Sequence, residues 1–336
     1  MAGSKTGEII NMFVAPYIQS SLRTRVKQSI VFLLLILLQC ESFAQDTISA
    51  PLSDSVNVLL QGKLSDPTPR VRPYRVAIVA SAVPITMAGV FVYLHYAWWS
   101  EQRAKFHFSD DVLYAKNLDK AGHFLSSLIV STAFADLYTF AGIQRKNAVW
   151  FGAGTSILCA TIVEVRDGLA PFWGFSRFDE LANVMGALYP VLQEKVPFFR
   201  NFNFKWSWSF TKASYYMTLP ENQNSIFLDD YERQNFWFTI DIARLFFPHK
   251  DHRKFPYFID PAIGLSARGL NGHDITNSIP STGHREWLLG FDINLSKLRF
   301  GNSRAEHYVR KYLNFYRLPM PTMRVAPDPK LYIINW

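Results

Sequence analysis

Along the chain, long apolar stretches alternate with short polar breaks, and the period of the apolar positions changes once. Ile30 to Leu38 is an unbroken run of nine apolar residues. Arg75 to Trp99 is a longer run, with Pro84 and Gly89 inside it and Tyr93, Tyr96, Trp98 and Trp99 at its far end, the aromatic edge expected at a membrane boundary. Three further helices are predicted over Asp119 to Ala141, Asn147 to about Gly168 and Phe178 to about Val196, with Gly142 and Gly174 marking breaks. Small residues at close spacing, Gly152 with Ser156 and Ser127 with Ser131, let such helices approach closely. After Pro197 the period drops to two, in Phe202 to Phe210, Phe236 to Ile242, Ile263 to Ala267 and Trp287 to Leu295, which is the strand pattern. Four or five strands fall short of the roughly eight that a closed outer-membrane barrel needs, so a small sheet lying on the helices is expected. The predicted fold class is α+β: an apolar bundle of about four helices over residues 74–199, then a small antiparallel strand-rich region over 200–336.

The first apolar run belongs to a different kind of segment. Arg23, Arg25 and Lys27 precede it and Ser42-Phe43-Ala44 follows it, the layout of a secretory signal with small residues before the cleavage point. Nine residues are too few to span a bilayer, so residues 1–44 read as a signal peptide with an upstream extension, and the mature chain is expected to begin at Gln45. Cys40 is the rival as an acylated first residue, but Gln39 stands where that chemistry wants a small residue. Residues 45–73, rich in Ser, Asp, Pro and Thr without periodicity, read as a flexible tether.

Composition sharpens the class. Of 336 residues 49% are hydrophobic, 15% aromatic and only 18% charged, below the roughly 25% charge of an ordinary soluble domain, which favours a protein that touches lipid. Loss of Lys5, Glu8, Arg23, Arg25, Lys27 and Glu41 with the signal lowers the net charge from +8 to +6, compatible with an anionic lipid surface. The expected partner is thus membrane lipid or another envelope component, and no nucleic acid. Cys159 alone would remain after cleavage, so no internal disulfide is expected. Arg72, Arg75, Arg145 and Lys146 would lie outside the inner membrane if the Arg75 to Trp99 run crossed it, against the positive-inside tendency, so the outer membrane or periplasm is favoured over the inner membrane.

Three polar groupings interrupt the apolar helices. Asp119 and His123 are i, i+4 with Lys120 beside them; Glu164 and Asp167 are i, i+3; Asp179 and Asn183 are i, i+4. Each set shares one face of its helix. The first helix begins at its set, the second ends at its set and the third begins at its set, so antiparallel packing brings Asp119, Lys120, His123, Glu164, Asp167, Asp179 and Asn183 to one end of the bundle. Three roles are open there. A paired helix-end network would fix how the helices meet, with Asp179 or Asp119 capping. A metal would use His123, Glu164, Asp167 and Asp179. Catalysis would make His123 the acid or base, oriented by Asp119 or Glu164, with Lys120 and Arg166 holding an anion. The histidines His107, His249, His252, His273 and His284 lie in polar, loop-like settings and are expected to be solvated.

The order Asp-Lys-x-x-His, then Glu-x-x-Asp-Gly, then Gly-Phe-Ser-x-x-Asp-x-x-Ala-Asn-x-x-Gly resembles the YfiM-like family of periplasmic lipoproteins, a domain of unknown function, and is more distantly similar to VanZ-like membrane proteins. The matching positions are Asp119, Lys120, His123, Glu164, Asp167, Gly168, Gly174, Phe175, Ser176, Asp179, Ala182, Asn183 and Gly186. Trp98-Trp99 and Phe106-His107-Phe108 are similar to longer members from Gram-negative bacteria. The resemblance covers about Tyr93 to Leu192 and implies an envelope protein, with no reaction or cofactor attached. The expectation is a bacterial cell-envelope protein, structural or ligand-binding, with a membrane-interface hydrolase or transferase acting on a phosphorylated envelope lipid as the alternative.

Overall fold

The computed structural model describes residues 71–99, 103–171, 173–209, 230–247, 257–270, 283–298, 301 and 303–335. The expected signal peptide, Cys40, Gln45 and nearly all of the tether lie outside the described residues, as do His249, His252 and His273. The residues 65–300 and 310–336 form one compact unit; of a second unit, residues 301 and 303–309 are described, helical from Arg304, with the Ser303 hydroxyl accepting the Glu306 N–H at 3.0 Å.

Four long helices appear where the apolar runs place them: α1 Pro73–Trp98, α2 Leu118–Phe140, α3 Arg145–Asp167 and α4 Arg177–Lys195. Proline at the start of α1 suits a position whose N–H has no helical partner. Entry to α2 is forced through three consecutive left-handed residues, Ala115, Lys116 and Asn117, and Asp119 then sits in the first turn, where a carboxylate faces the positive end of the helix. Ser176 caps α4 by accepting the Asp179 N–H at 3.1 Å. Two residues on either side of these breaks, β1 Phe108–Ser109 and β2 Phe175–Ser176, pair in parallel and clip the segment before α2 to the start of α4.

The helices meet through small residues. A methyl group at Gly186 of α4 would lie 1.9 Å from the Phe124 carbonyl oxygen of α2, and one at Gly152 of α3 would lie 2.5 Å from the Ser131 carbonyl oxygen. Serine hydroxyls take up backbone acceptors across the same contacts: Ser156 donates to the Ser127 carbonyl at 2.9 Å and Ser131 to the Ala187 carbonyl at 2.7 Å. At the opposite end of α2, Asp136 accepts from Arg145 at 2.9 Å, Lys311 at 2.5 Å and Tyr312 at 2.7 Å, holding the start of α3 and the end of α6 (Arg304–Leu313).

The C-terminal region is a six-stranded sheet, antiparallel throughout and in chain order: β3 Phe202–Trp208, β4 Gln234–Ile240, β5 Ile259–Arg268, β6 His284–Ile293, β7 Met320–Ala326 and β8 Lys330–Asn335. A short helix, α5 Ile242–Phe246, follows β4. Strands β3 to β6 overlap the four predicted ranges; β7 and β8 are additional, their alternation blurred by Pro321, Pro327 and Pro329. Phe204, Phe236 and Leu265 pack with Phe124, Leu125, Leu128 and Tyr189, so the sheet lies on α2 and α4. One helix stands outside this pattern. In α1 only 6% of the apolar window Pro73–Tyr96 is buried, and Val76, Ile78, Ile85 and Val92 are exposed.

Candidate functional site

The polar residues of α2, α3 and α4 meet at one end of the bundle. Lys120 lies at the centre: its Nζ is 2.7 Å from Asp119, 2.7 Å from Asp179 and 3.1 Å from Asp111. His123, one turn on from Asp119, has Nε2 3.5 Å from that carboxylate and 3.8 Å from Asp179, and Nδ1 3.5 Å from Glu164 and 3.2 Å from the Asn183 side-chain oxygen. Asn183 also accepts from the Ser127 hydroxyl at 2.9 Å. Glu164 accepts the Ser176 N–H at 3.3 Å, which ties the end of α3 to the cap of α4. The carboxylates of Asp119, Glu164 and Asp179 are 5%, 2% and 6% exposed, whereas the His123 side chain is 26% exposed and forms the accessible rim.

Asp167 and Arg166 behave differently from their neighbours. The Asp167 carboxylate accepts the Trp99 indole N–H at 2.6 Å, and the Arg166 guanidinium lies over the Trp99 ring at 5.2 Å with Nη2 3.4 Å from the Trp99 carbonyl. Both therefore anchor the end of α1 to α3 rather than joining the Lys120 centre. Of the set expected to hold a metal, Asp167 is turned aside and Glu164 lies outside the close grouping, which is formed by Asp119, His123 and Asp179 with ligand atoms within 4.8 Å of one another. The ammonium of Lys120 is already in contact with two of those three, so a metal ion there would have to displace a cation the chain carries itself. His107, expected to be solvated, has its two ring nitrogens 3.1 Å from the carbonyls of Lys105 and Trp173. His284 is exposed.

Four participants were not singled out as site residues by spacing. Asp111 accepts from Ser176 Oγ at 2.6 Å besides pairing with Lys120, and Ser127 and Ser176 were visible only as a small residue and a motif position. Tyr231 donates to Asp119 at 2.5 Å from a point 112 residues downstream, just before β4, where nothing local signals it.

The electrostatics follow from burial against pairing. Burial alone would raise the Asp119 carboxyl, but His123 and Lys120 outweigh it and hold Asp119 well below the usual carboxylate range. Burial opposes the Lys120 ammonium, yet Asp119 and Asp179 more than offset it and keep the lysine charged. For His123 burial is again overcome, by Asp179 and Asp119 and then Glu164, so the imidazolium persists well above its ordinary range. Asp179 goes the other way: burial, reinforced by the Asp119 charge, pushes it up to about 9. Asp119 and Asp179 thus share one environment, each within reach of Lys120 and His123, and titrate in opposite directions as a pair.

Such a centre can fix helices, exchange a proton at the His123 rim, or hold a small polar ligand there. Residues 107–195, which contain the whole Lys120 centre except Tyr231, match a family described as predicted periplasmic lipoprotein (DUF2279), a description that supports an exported, cell-envelope location. Nothing among the curated proteins or the solved structures matches the chain.

Proposed function

We propose that this chain is a non-catalytic structural protein of the bacterial cell envelope, held in lipid through α1, in which the polar centre is an ion-pair junction locking α2, α3 and α4 together and tying them to the sheet. The observation that carries this reading is the enclosure of Lys120 Nζ by three carboxyl groups from three places in the chain, Asp111, Asp119 and Asp179. A buried ion pair broken by removal of one partner is strongly destabilising, so a group so enclosed is committed to the fold. A general acid or nucleophile needs an open approach to substrate; here the carboxylates are closed off and their oxygens engaged by lysine, histidine, tyrosine and backbone N–H groups.

The lipid part of the proposal rests on α1. A helix apolar on every side belongs inside a large core or inside a membrane, and 6% burial of its apolar window leaves the second setting. Tyr96, exposed near its end, points the same way.

The rival reading makes His123 an acid or base acting on a phosphorylated envelope lipid, and its 26% exposure is the feature in its favour. The two readings separate in a strain lacking the chromosomal gene and carrying plasmid-borne variants, scored by immunoblot and by antibiotic sensitivity. The structural reading expects His123→Gln to retain near-normal abundance and phenotype. A His123→Gln protein of normal abundance with the phenotype of the empty plasmid would overturn it.

A further inference from the structure

The two faces of the sheet have the opposite polarity to a soluble sheet on a core. Register fixes which residues share a face: Phe204 pairs with Phe238, Phe238 with Ile263, Ile263 with Leu289, Leu289 with Met323 and Met323 with Leu331. This row is apolar from one edge to the other. The opposite face carries Lys205, Asn235, Thr239, Asp260, Glu286 and Asp292, every one of them buried, around a small apolar cluster of Trp237, Ala262 and Leu288. Antiparallel sheets normally bury the apolar face and hydrate the polar one. Here the polar face is the interior.

That interior is enclosed because the sheet rolls around it. Lys205 of β3 reaches Asp292 of β6 at 2.5 Å, although on a flat sheet the two strands would be three spacings, roughly 14 Å, apart. The fully buried Arg317 crosses the same space. Its guanidinium stacks on Trp237 of β4 at 3.8 Å and donates to the Phe291 carbonyl of β6 at 2.8 Å, to Thr322 of β7 at 2.9 Å and to the Asn335 carbonyl of β8 at 3.1 Å. Its own backbone covers the outer edge of β3: Trp206 N–H donates to Phe315 and Arg317 N–H to Trp206, each at 2.8 Å. An arginine touching four strands from inside is possible only where those strands curve around it.

The apolar face is consequently the outside. Over β3 and β4 it is covered by the bundle, with Phe204 4.7 Å from Phe124 and 5.1 Å from Tyr189, ring centre to ring centre. Over β5 to β8 the bundle side meets it only at Leu265 and Ala267 of β5 and at Arg285 of β6, which donates to the Lys116 carbonyl; beyond these the face is open in the described structure, and Ile263, Trp287, Leu289, Phe291, Met323 and Leu331 are all exposed. We propose that this outer face of β5–β8 is seated in the hydrocarbon of a bilayer, making the sheet a lipid-facing element beside the helices. Polar within and apolar without is the arrangement that membrane strands adopt. Strands β5 and β6 have ten residues each, about 33 Å when extended, the length that crosses a hydrocarbon core of about 30 Å at a tilt. The inference extends the lipid-embedded reading of α1 to a second element.

Its test uses the full chain carrying Cys40→Ser and Cys159→Ser, reconstituted in phosphatidylethanolamine–phosphatidylglycerol vesicles. Single cysteines at Leu289, Leu331, His284 and Ile85 carry a nitroxide label, and collision with oxygen is compared with collision with a water-soluble nickel chelate. Leu289 and Leu331 are expected to give an oxygen-to-nickel ratio several times that of His284 and close to that of Ile85 on α1. Nickel-accessible labels at Leu289 and Leu331 with Ile85 still in lipid would overturn the sheet inference alone, and nickel access at Ile85 as well would overturn both readings. Labels on the sheet shielded from both reagents and broadened by spin–spin coupling would show a second copy on this face, which also overturns the proposal. Because each labelled position is exposed, the substitutions leave packing intact, and Met323 and Ile333 provide a second pair on the same face.

Discussion

Replacing Lys120 by methionine removes the ammonium and keeps most of the apolar stem, so its effect isolates the charge. At 2.7 Å from Asp119, and with an effective dielectric of about 20, the attraction is about 6 kcal/mol; most of it is offset by the desolvation of two buried ions. The loss on truncation is larger than that net balance, because Asp119 remains buried with its charge and keeps only Tyr231 and His123 as partners. Breaking a buried pair in this way costs about 3–5 kcal/mol. At roughly 2–4 °C per kcal/mol, Lys120→Met should lower Tm by on the order of 10 °C. The assay is thermal unfolding of detergent-solubilised protein followed by circular dichroism, for the wild type, Lys120→Met, Asp119→Asn and the double variant. Asp119→Asn in the Lys120→Met background should recover part of the loss, since it neutralises the stranded carboxylate, and the two changes should therefore be far from additive. A Lys120→Met protein within a degree of wild type, or strict additivity in the double variant, would show that the lysine does not hold the helices, and the junction reading would fail with it.

Glu164→Leu should lower abundance on immunoblot, since it strands the Ser176 N–H and leaves the partly buried charge of His123 without one of its carboxyl partners. Raising pH from 7 to 10 should lower Tm. His123 is held above its ordinary 6.5, and Asp179 is raised from its ordinary 3.8 to about 9, so the folded state binds more protons than the unfolded one and loses stability as pH climbs through those values. Asp119, held below its ordinary 3.8, has the opposite sign and contributes stability that is lost only on acidification below that value; a wild-type Tm flat between pH 7 and 10 would contradict the assignment. Gly186→Ala should cost roughly 3 kcal/mol, measured by chemical unfolding, because the new methyl would sit 1.9 Å from the Phe124 carbonyl oxygen and must push α4 off α2. Leu289→Arg should reduce recovery in floated vesicles, given about 2–4 kcal/mol for a cation on a lipid-facing strand at mid-depth; unchanged recovery would count against the seated sheet.

The bundle was legible because its signals are local. Apolar runs fixed α1 to α4 to within a few residues, and Gly142 and Gly174, both at positive φ, marked real breaks. The convergence of the polar residues also followed from local facts, since helix-face spacing and short connections decide which ends meet. What spacing could not provide was the partner of each group. Asp167 is i, i+3 from Glu164 and shares its face, yet one more turn carries it to Trp99, a contact set by the path of α1 and invisible in either segment alone. Tyr231 reaches Asp119 only because the start of β4 packs on α2, a tertiary fact with no trace in the residues around position 231.

The sheet was legible for a reason that also concealed its orientation. Alternation of period two states which residues lie on the same face, and Phe204, Phe238, Ile263 and Leu289 alternate with Lys205, Thr239, Gly264 and Gly290 in the pattern of an ordinary half-buried sheet. The usual inference places the apolar row inward. It is reversed here because the polar row contains charges with partners, Lys205 with Asp292, Arg324 with Glu286, and Asp260 with Lys297, which also pairs with Asp241 just beyond β4; they satisfy one another when the sheet rolls over them. Withdrawing these seven ions from solvent in a chain that has Trp287, Leu289 and Phe291 available for a core would be a poor choice in water, where apolar residues of the same volume would serve stability as well or better. In a bilayer the comparison changes sign: the apolar side chains are satisfied outside, unpaired backbone and charge cannot be, and the ions have to find their partners within. The polar centre of the bundle has the same arrangement at another place in the chain, with Lys120 surrounded by carboxyl groups while Leu158, Leu181 and Met185 are exposed.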